Sequence, residues 1–283
     1  MSQALLDKAI ETAWQHWTVL GVAGVAPPPV HAIDLEALIA FTPFIAADEP
    51  RLERECLDWC VRIGPPHVSI SRLKHVARWM PTRKSAHVVN LVDVVLAGDG
   101  LALKLSKKSR PPRLEHPSLV KLRSRRIFGV GARADVIVAL AMRPQNAEAV
   151  RISAMRVTGY TKRAIANVVD DLASVGVLEK LIVDQAPRYR LTQRATLRAL
   201  LQPMPKRAPS WSVRFGLVAL CLETWRSVGA RSTYAVELVK VLDKVRPWAD
   251  ATEPMPRFVG RASTVLIEAE RWAMTLLEPT PRR

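Results

Sequence analysis

The chain has few cysteines and an uneven distribution of histidines, which leaves little material for catalysis. Three cysteines occur in 283 residues, an odd number that suits a reducing compartment better than a disulfide-bonded fold. All six histidines lie within the first 116 residues, and none has a nucleophile at motif spacing. The chain also lacks a Walker loop, a nucleophile elbow and a His-Glu-x-x-His helix. We therefore expect a protein that is not an enzyme and that holds no cofactor or metal.

Long apolar runs are also missing. The longest stretch without a charged residue, 12–33, contains Gln15, two histidines and Pro27-Pro28-Pro29, so it cannot cross a bilayer as a continuous helix. Near the N-terminus, Asp7 and Glu11 interrupt the apolar core that a signal peptide would need. The sequence therefore predicts a cytoplasmic protein with no membrane partner.

Acidic residues are scarcest where basic residues are concentrated. The formal net charge is +16, and residues 101–130 carry nine lysines and arginines against one acidic residue. A local excess of positive charge is the electrostatic signature of a nucleic-acid binder. The segment 104–126 is accordingly predicted as a basic linker, with Arg123, Arg125 and Arg126 as candidate contacts to a phosphate backbone. A solvated linker without such contacts is the alternative.

The densest structural signals run from Ala132 to Thr192. They predict a helix, a short connector, a second helix, a tight turn, a third helix and a two-stranded ribbon. Gly159 stands at the tight turn, and Thr161 is a good N-cap for the third helix. Gly176 ends that helix, because a residue with a Cβ atom disfavours positive φ. An apolar stripe recurs at helical spacing along it: Ile165, Val168, Val169 and Leu172.

The ribbon is predicted from a β-branched run and a turn. Residues 177–183 form the run, residues 184–187 have turn chemistry, and residues 188–191 pair back as a second strand. Helix, turn, helix and basic ribbon is the winged-helix plan. The expected fold is therefore mainly α, with a central winged helix-turn-helix (α plus a short β-ribbon wing) flanked by N- and C-terminal helical domains.

The central part of the chain resembles the arsenic-repressor (ArsR) type of winged-helix DNA-binding regulators. The matching segments are the capped helix start Thr161-Lys162-Arg163, the helix end from Asp171-Leu172 to Glu179-Lys180, and the closing Arg188-Tyr189-Arg190-Leu191-Thr192. The resemblance implies a transcriptional regulator, in the first instance a repressor, that binds double-stranded DNA as a homodimer.

The third helix of a winged helix lies in the major groove, and its N-terminal residues meet base edges. With the apolar stripe toward the core, the opposite face carries the candidate base contacts: Thr161, Lys162, Arg163, Ala166 and Asn167. Lysine and arginine donate to guanine, and asparagine pairs with adenine. Tyr160 at the turn and Arg188 and Arg190 on the wing are candidate phosphate contacts that set the register. An ordinary solvated helix end is the alternative for Lys162 and Arg163.

The rest of the chain is predicted to be helical. The predicted domains are an N-terminal helical domain (1–103), the basic linker (104–126), the winged helix-turn-helix domain (127–202) and a C-terminal helical domain (210–283). Proline-rich residues 203–209 form a stiff connection before the last domain. That domain is the candidate dimer interface or partner-binding unit.

Cys56 and Cys60 lie four residues apart on one predicted helix face, and His67 and His75 follow closely enough to complete a metal-ligand set. The interpretation we adopt is that the two cysteines are small buried hydrophobes.

The predicted helix at 69–79 carries four residues on its polar side: Arg72, Lys74, His75 and Arg78. We expect a solvated basic face there, and a second recognition helix is the alternative. The first 60 residues carry nine acidic and three basic residues, so they could dock on the basic segment within the chain.

Two further functions remain open. Winged-helix antitoxins paired with nucleotidyltransferase-like toxins repress their own operon and neutralise the toxin by protein contact, and this chain is similar to them in plan. The third possibility is an RNA-binding or scaffold role in which the wing contacts protein. A nucleotidyltransferase gene next door would favour the antitoxin.

Overall fold

The computed structural model describes residues 3–81, 91–97, 105–143, 149–155, 157–228, 231–249 and 252–278. Within these ranges the α-helices are α1 (Gln3–Val19), α2 (Leu35–Phe41), α3 (Pro50–Arg62), α4 (Ile70–Ala77), α5 (Leu91–Ala97), α6 (Val120–Phe128), α7 (Ala132–Ala141), α8 (Lys162–Ser174), α9 (Arg194–Leu200), α10 (Trp211–Ser227), α11 (Arg231–Ala249) and α12 (Ala262–Leu277). The strands are β1 (Leu178–Val183) and β2 (Ala186–Leu191). The expectation of a mainly α chain is confirmed. The sequence also predicts a helix over 85–97, and residues 85–90 of it lie outside the described residues.

Local sequence explains where several helices begin and end. The Asp34 side chain accepts a hydrogen bond from the Ala37 N–H (3.2 Å) at the start of α2. The Thr161 hydroxyl accepts one from the Ala164 N–H (3.1 Å) at the start of α8. These bonds satisfy N–H groups that the first turn of a helix leaves free. Gly176 follows α8 with a φ of +74°, which confirms its predicted role in ending the helix.

The N-terminal and C-terminal helices share one hydrophobic core. Buried side chains of α1 to α5 cluster with those of α10, α11 and α12. At the centre, the Phe41 and Phe215 rings stack with centroids 4.5 Å apart and planes 6° apart. The buried Trp211 indole donates to the Ala32 carbonyl oxygen (2.9 Å). The core therefore does not follow the predicted division into domains 1–103 and 210–283, because the apolar faces of both segments cover each other.

A second core lies between α7, α8 and the ribbon. Its buried members include Val120, Ile137, Ile165, Val169 and Tyr189. Val120 belongs to α6, which packs against α7. The second half of the predicted basic linker is therefore a helix with a buried face. Its apolar residues at 119, 120 and 122 are spaced as one side of a helix, a signal that the neighbouring basic residues obscured.

The ribbon is a two-stranded antiparallel sheet in which Leu178 pairs with Leu191 and Val183 with Ala186. Its turn has only two residues, Asp184 (φ +52°) and Gln185 (φ +59°). Residues 186 and 187, predicted as turn, belong to β2 instead, because a two-residue turn with both φ angles positive matches the twist of the strands.

A bridge and a short helix lie between α7 and α8 in the chain. Val150 and Tyr189 exchange two backbone hydrogen bonds of 2.9 Å each, so a short bridge lies beside the ribbon. A 3-10 helix, Ile152–Met155, stands where the second helix of the central unit was predicted.

The cysteines of α3 are packed as small hydrophobes. Cys56 and Cys60 are buried, and burial raises the pKa of both thiols, so the thiolate forms that bind metals are disfavoured. His67 stacks against Trp59 with ring centroids 6.1 Å apart. Among the described residues, no group of three or more His, Cys, Asp or Glu side chains is arranged to hold a metal ion. No helix within the described ranges is long and apolar enough to cross a membrane.

Three buried histidines should make the fold sensitive to mild acid. His16 and His31 approach to 3.1 Å between their Nε2 atoms, and His67 is buried near Arg125 and Arg126. Burial, and then the neighbouring charge of His31, holds the pKa of His16 well below 6.5. Burial together with a nearby arginine lowers the pKa of His31 and of His67 to about 4.

In the unfolded chain these imidazoles take up protons below about pH 6.5, while in the folded chain His31 and His67 stay neutral until about pH 4 and His16 also resists protonation. Stability is therefore full above about pH 6.5 and falls as the pH drops toward 4, by about 1.4 kcal/mol per pH unit for each group. Urea unfolding at a series of pH values measures this. A free energy of unfolding that stays constant between about pH 7 and about pH 5 would contradict it.

Candidate nucleic-acid interface

Helix α8 separates an apolar face from a polar one. Ile165, Val169 and Leu172 are at most 5% exposed and pack in the second core. On the opposite side, Lys162, Arg163 and Asn167 are exposed, as is the capping residue Thr161, and Ala166 is half-buried. Among the described residues, neither Lys162 nor Arg163 is in an ion pair. The structure therefore brings the five residues predicted to contact bases to one exposed end of one helix.

The acidic residues of α8 lie further along the helix and are paired. Asp170 accepts hydrogen bonds from the Lys180 ammonium (2.9 Å) and the Tyr189 hydroxyl (3.2 Å). The hydrogen bond from Lys180 lowers the pKa of Asp170. Asp171 lies 3.8 Å from the Arg133 guanidinium. The negative charge near α8 is thus partly balanced within the chain and is displaced from its N-terminal turn.

The wing arginines are also paired. Arg188 donates to Asp184 (2.9 Å) at the turn, and Arg190 is bound to Glu179 on the opposite strand. The Arg190 side chain is 55% exposed and that of Arg188 is 25% exposed. Contact with a phosphate by either residue would compete with an ion pair of the ribbon.

Three of the predicted DNA contacts are engaged inside the protein. Arg125 is 3% exposed and binds Glu36 and Asp135, so its guanidinium is not available to a phosphate. The half-buried Tyr160 donates its hydroxyl hydrogen to Asp135 (3.0 Å). Arg123 donates to the carbonyl oxygens of Leu114 and Leu201. These three residues leave the candidate set, whereas Arg126 is exposed and stays in it.

Arg125 and Tyr160 contact a buried ion cluster that sequence reasoning missed. Arg72 is 1% exposed, so the prediction of a solvated position was wrong for it. Its guanidinium donates to both oxygens of Asp34 (2.5 and 2.6 Å) and to Glu36 (2.6 Å). Lys121 also donates to Asp34 (2.9 Å). With Arg125 and Asp135, the cluster has three carboxylates, two guanidinium groups and one ammonium, so its formal charges cancel.

The cluster keeps its carboxylates charged although they are buried. Burial alone would raise the pKa of Asp34, but the charges of Arg72 and Lys121 hold that pKa well below its ordinary value. Burial opposes ionisation of Asp135 in the same way, and Arg125 and Arg72 lower its pKa. The predicted docking of acidic N-terminal residues on the basic segment is present here, since Asp34 binds Lys121 and Glu36 binds Arg125.

The cluster also holds the turn that leads into α8. The Nε atom of Arg72 donates to the Thr158 carbonyl oxygen (3.0 Å). Gly159 follows, and a Cβ atom on it would lie 2.9 Å from the Arg72 Cγ atom and 2.9 Å from the Val76 Cγ2 atom. The start of α8 is therefore set against α4 by a hydrogen bond and by close packing that only glycine allows.

We expect Gly159→Ala to destabilise the protein more than Gly129→Ala. Both glycines have similar positive φ angles, +84° and +86°, but a Cβ atom at Gly129 would have no atom within 4 Å. An L-residue at either position would have a positive φ, so both variants carry backbone strain of about 1–3 kcal/mol. The overlap with α4 adds about 1–3 kcal/mol for Gly159→Ala alone. Urea unfolding measures the difference, and equal losses would show that the turn is not packed against α4.

No protein family, curated protein or solved structure matches this chain. The proposed function therefore rests on the arrangement of the described residues.

Proposed function

We propose that the chain is a sequence-specific DNA-binding transcriptional regulator that inserts the N-terminal half of α8 into the major groove. One observation carries the proposal: Lys162 and Arg163 are exposed, form no ion pair with any described residue, and stand with Asn167 on the free face of a helix whose other face is in a core. A helix presented in this way fits the width of the major groove.

The order of elements supports a winged helix-turn-helix. Helix α7, the 3-10 helix Ile152–Met155, the turn at Gly159, α8 and the β1–β2 ribbon follow one another as in that plan. The bridge between Val150 and Tyr189 lies where a third short strand would join the wing. In this arrangement the ribbon extends beyond α8 and reaches the neighbouring phosphates or minor groove.

The side chains of α8 define what the helix would read. Arg163 and Lys162 have donors for guanine O6 and N7, and Asn167 has the donor and acceptor that pair with adenine. The exposed Arg126 and the wing residue Arg190 would hold phosphates and fix the register. A regulator of this kind represses by occupying its operator, and two copies would bind half-sites about one helical turn apart.

A titration of the purified protein tests the proposal. The duplexes are the region upstream of its own gene and a scrambled sequence of equal length, each at about 50 mM and about 200 mM salt. We expect tight binding to the native region and at least about a thousandfold weaker binding to the scrambled duplex at the higher salt. Equal, salt-sensitive binding to both duplexes would contradict sequence-specific recognition.

A further inference from the structure

Residues 105–113 form a loop whose backbone is fixed to the rest of the protein. This basic loop, residues 105–113, lies against α3. The Asp58 side chain, which is fully buried, accepts backbone hydrogen bonds from Lys107 (2.9 Å) and Ser109 (3.1 Å). The Ser109 hydroxyl donates to the Glu55 carbonyl oxygen (3.3 Å). The segment was predicted as part of a linker, yet a buried carboxylate holds its main chain in place.

Further contacts fix both ends of the same loop. The Ser106 hydroxyl donates to the Glu55 carboxylate (2.7 Å), and the Arg110 N–H donates to the Gly21 carbonyl oxygen (2.8 Å). Backbone hydrogen bonds from the loop therefore lower the pKa of Asp58, although burial alone would raise it. The loop is attached to α3 on one side and to the segment after α1 on the other.

The loop also carries a concentration of positive charge. Four cationic residues in it are exposed: Lys107, Lys108, Arg110 and Arg113. Within the described part of the chain, none of the four is in an ion pair. Like charges this close repel one another, and an unattached segment would spread them apart. A fixed backbone that keeps four unpaired cations together instead forms a concentrated positive surface.

We propose that the basic loop is a second DNA-contacting surface, which binds the phosphates of a duplex without reading its sequence. This inference rests on the proposed function, because it takes duplex DNA as the partner. The chemistry favours phosphates over base edges, since lysine and arginine on an exposed loop neutralise a regularly spaced polyanion and release its counterions. Because the loop is already ordered, little conformational entropy is lost when it binds.

The test is the salt dependence of binding to the scrambled duplex. A variant with glutamine at all four cationic positions of the loop is compared with the natural chain between about 50 mM and about 200 mM salt. Four phosphate contacts contribute about 3.6 to the magnitude of the slope of log K against log salt. Over this range, the affinity of the natural chain should therefore fall about a hundredfold more than the affinity of the variant.

A matched control removes the same charge elsewhere. It carries glutamine at four other exposed basic positions: Lys206, Lys244, Arg257 and Arg271. We expect the control to keep nearly the natural slope. Equal slopes for the loop variant and the control would overturn the proposal, because net charge alone would then explain binding. The ratio of operator to scrambled affinity reports separately on α8, so failure of the loop and failure of the proposed function are distinguishable.

Hydrogen exchange tests the attachment of the loop without DNA. The amides of Lys107 and Ser109 should exchange slowly in the natural chain and faster in Asp58→Asn, while buried amides of α10 keep their protection. Exchange of both amides at the rate of an unstructured peptide in the natural chain would overturn the claim that the loop is fixed.

Discussion

Replacing Lys162 and Arg163 together with alanine is expected to lower the affinity for the native operator by at least about thirtyfold. Each side chain would lose a contact with a base edge, worth about 1–3 kcal/mol, and about 1.4 kcal/mol corresponds to a tenfold change in affinity. Both residues are exposed and unpaired among the described residues, so the free energy of unfolding should change by less than about 0.5 kcal/mol. Fluorescence anisotropy titration and urea unfolding measure the two quantities.

The matched control for this variant is Lys240→Ala with Lys244→Ala. These two exposed lysines lie one turn apart on α11, which packs in the hydrophobic core shared by the N-terminal and C-terminal helices. The control removes the same charge, so it should weaken operator and scrambled binding by similar small factors. If the α8 variant and the control lose the same affinity for the operator, α8 does not read the sequence, and the loss reflects net charge alone.

Arg125→Ala is expected to cost about 3–5 kcal/mol of stability. The guanidinium binds both oxygens of Glu36 (2.7 and 3.0 Å) and donates to Asp135 (3.0 Å), all in the interior. Without it, the cluster holds three carboxylates against Arg72 and Lys121, and one buried negative charge is left unbalanced. Since that loss approaches the whole stability of an ordinary domain, the variant should unfold at much lower urea.

The neighbouring residue gives a control with the same chemical change. Arg126 follows Arg125 directly but is exposed, so Arg126→Ala should change the free energy of unfolding by less than about 0.5 kcal/mol. The two variants also separate two roles. If Arg126 contacts a phosphate, Arg126→Ala weakens DNA binding and leaves the stability of the protein intact. If both variants are equally stable, Arg125 is not part of a buried cluster.

Local patterns in the sequence predicted much of the central unit. The capping hydroxyl of Thr161, the glycine after α8 and the β-branched run before the turn each act over a few residues. Such signals depend on neighbours along the chain, and the sequence displays them directly. The same applies to the exposed face of α8, because its position follows from the apolar stripe on the opposite face.

The buried cluster could not be predicted in the same way. Arg72 and Asp34 are 38 residues apart, and Arg125 and Glu36 are 89 residues apart, so no local pattern joins them. A weaker signal was present, since Asp135 interrupts the apolar run of α7 and Arg72 stands four residues before the buried Val76. A charged residue on an apolar helix face needs a partner when buried, which indicates an ion pair but does not identify it.

The shared core has a similar explanation. The N- and C-terminal segments were predicted to be helical, but their apolar residues only state that apolar surface must be covered. Which faces pack together depends on the path of the chain. Trp211 and Ala32, which are joined by a hydrogen bond, are 179 residues apart in the sequence. Domain boundaries drawn from composition and proline-rich segments therefore divided a core that is continuous.

The central claim is that α8 lies against base pairs, and one introduced cysteine tests it most directly. The natural cysteines are buried, and burial raises the pKa of Cys221 to about 12, so they should resist labelling. Ala166→Cys places a single reactive thiol on the exposed face of α8, and Ser263→Cys places one on α12 as a control. Each is coupled to an iron chelate that cleaves DNA nearby. We predict cuts within the operator from position 166 and none above background from position 263. Cuts of equal strength from both positions, or none from position 166 on a bound duplex, would contradict the account.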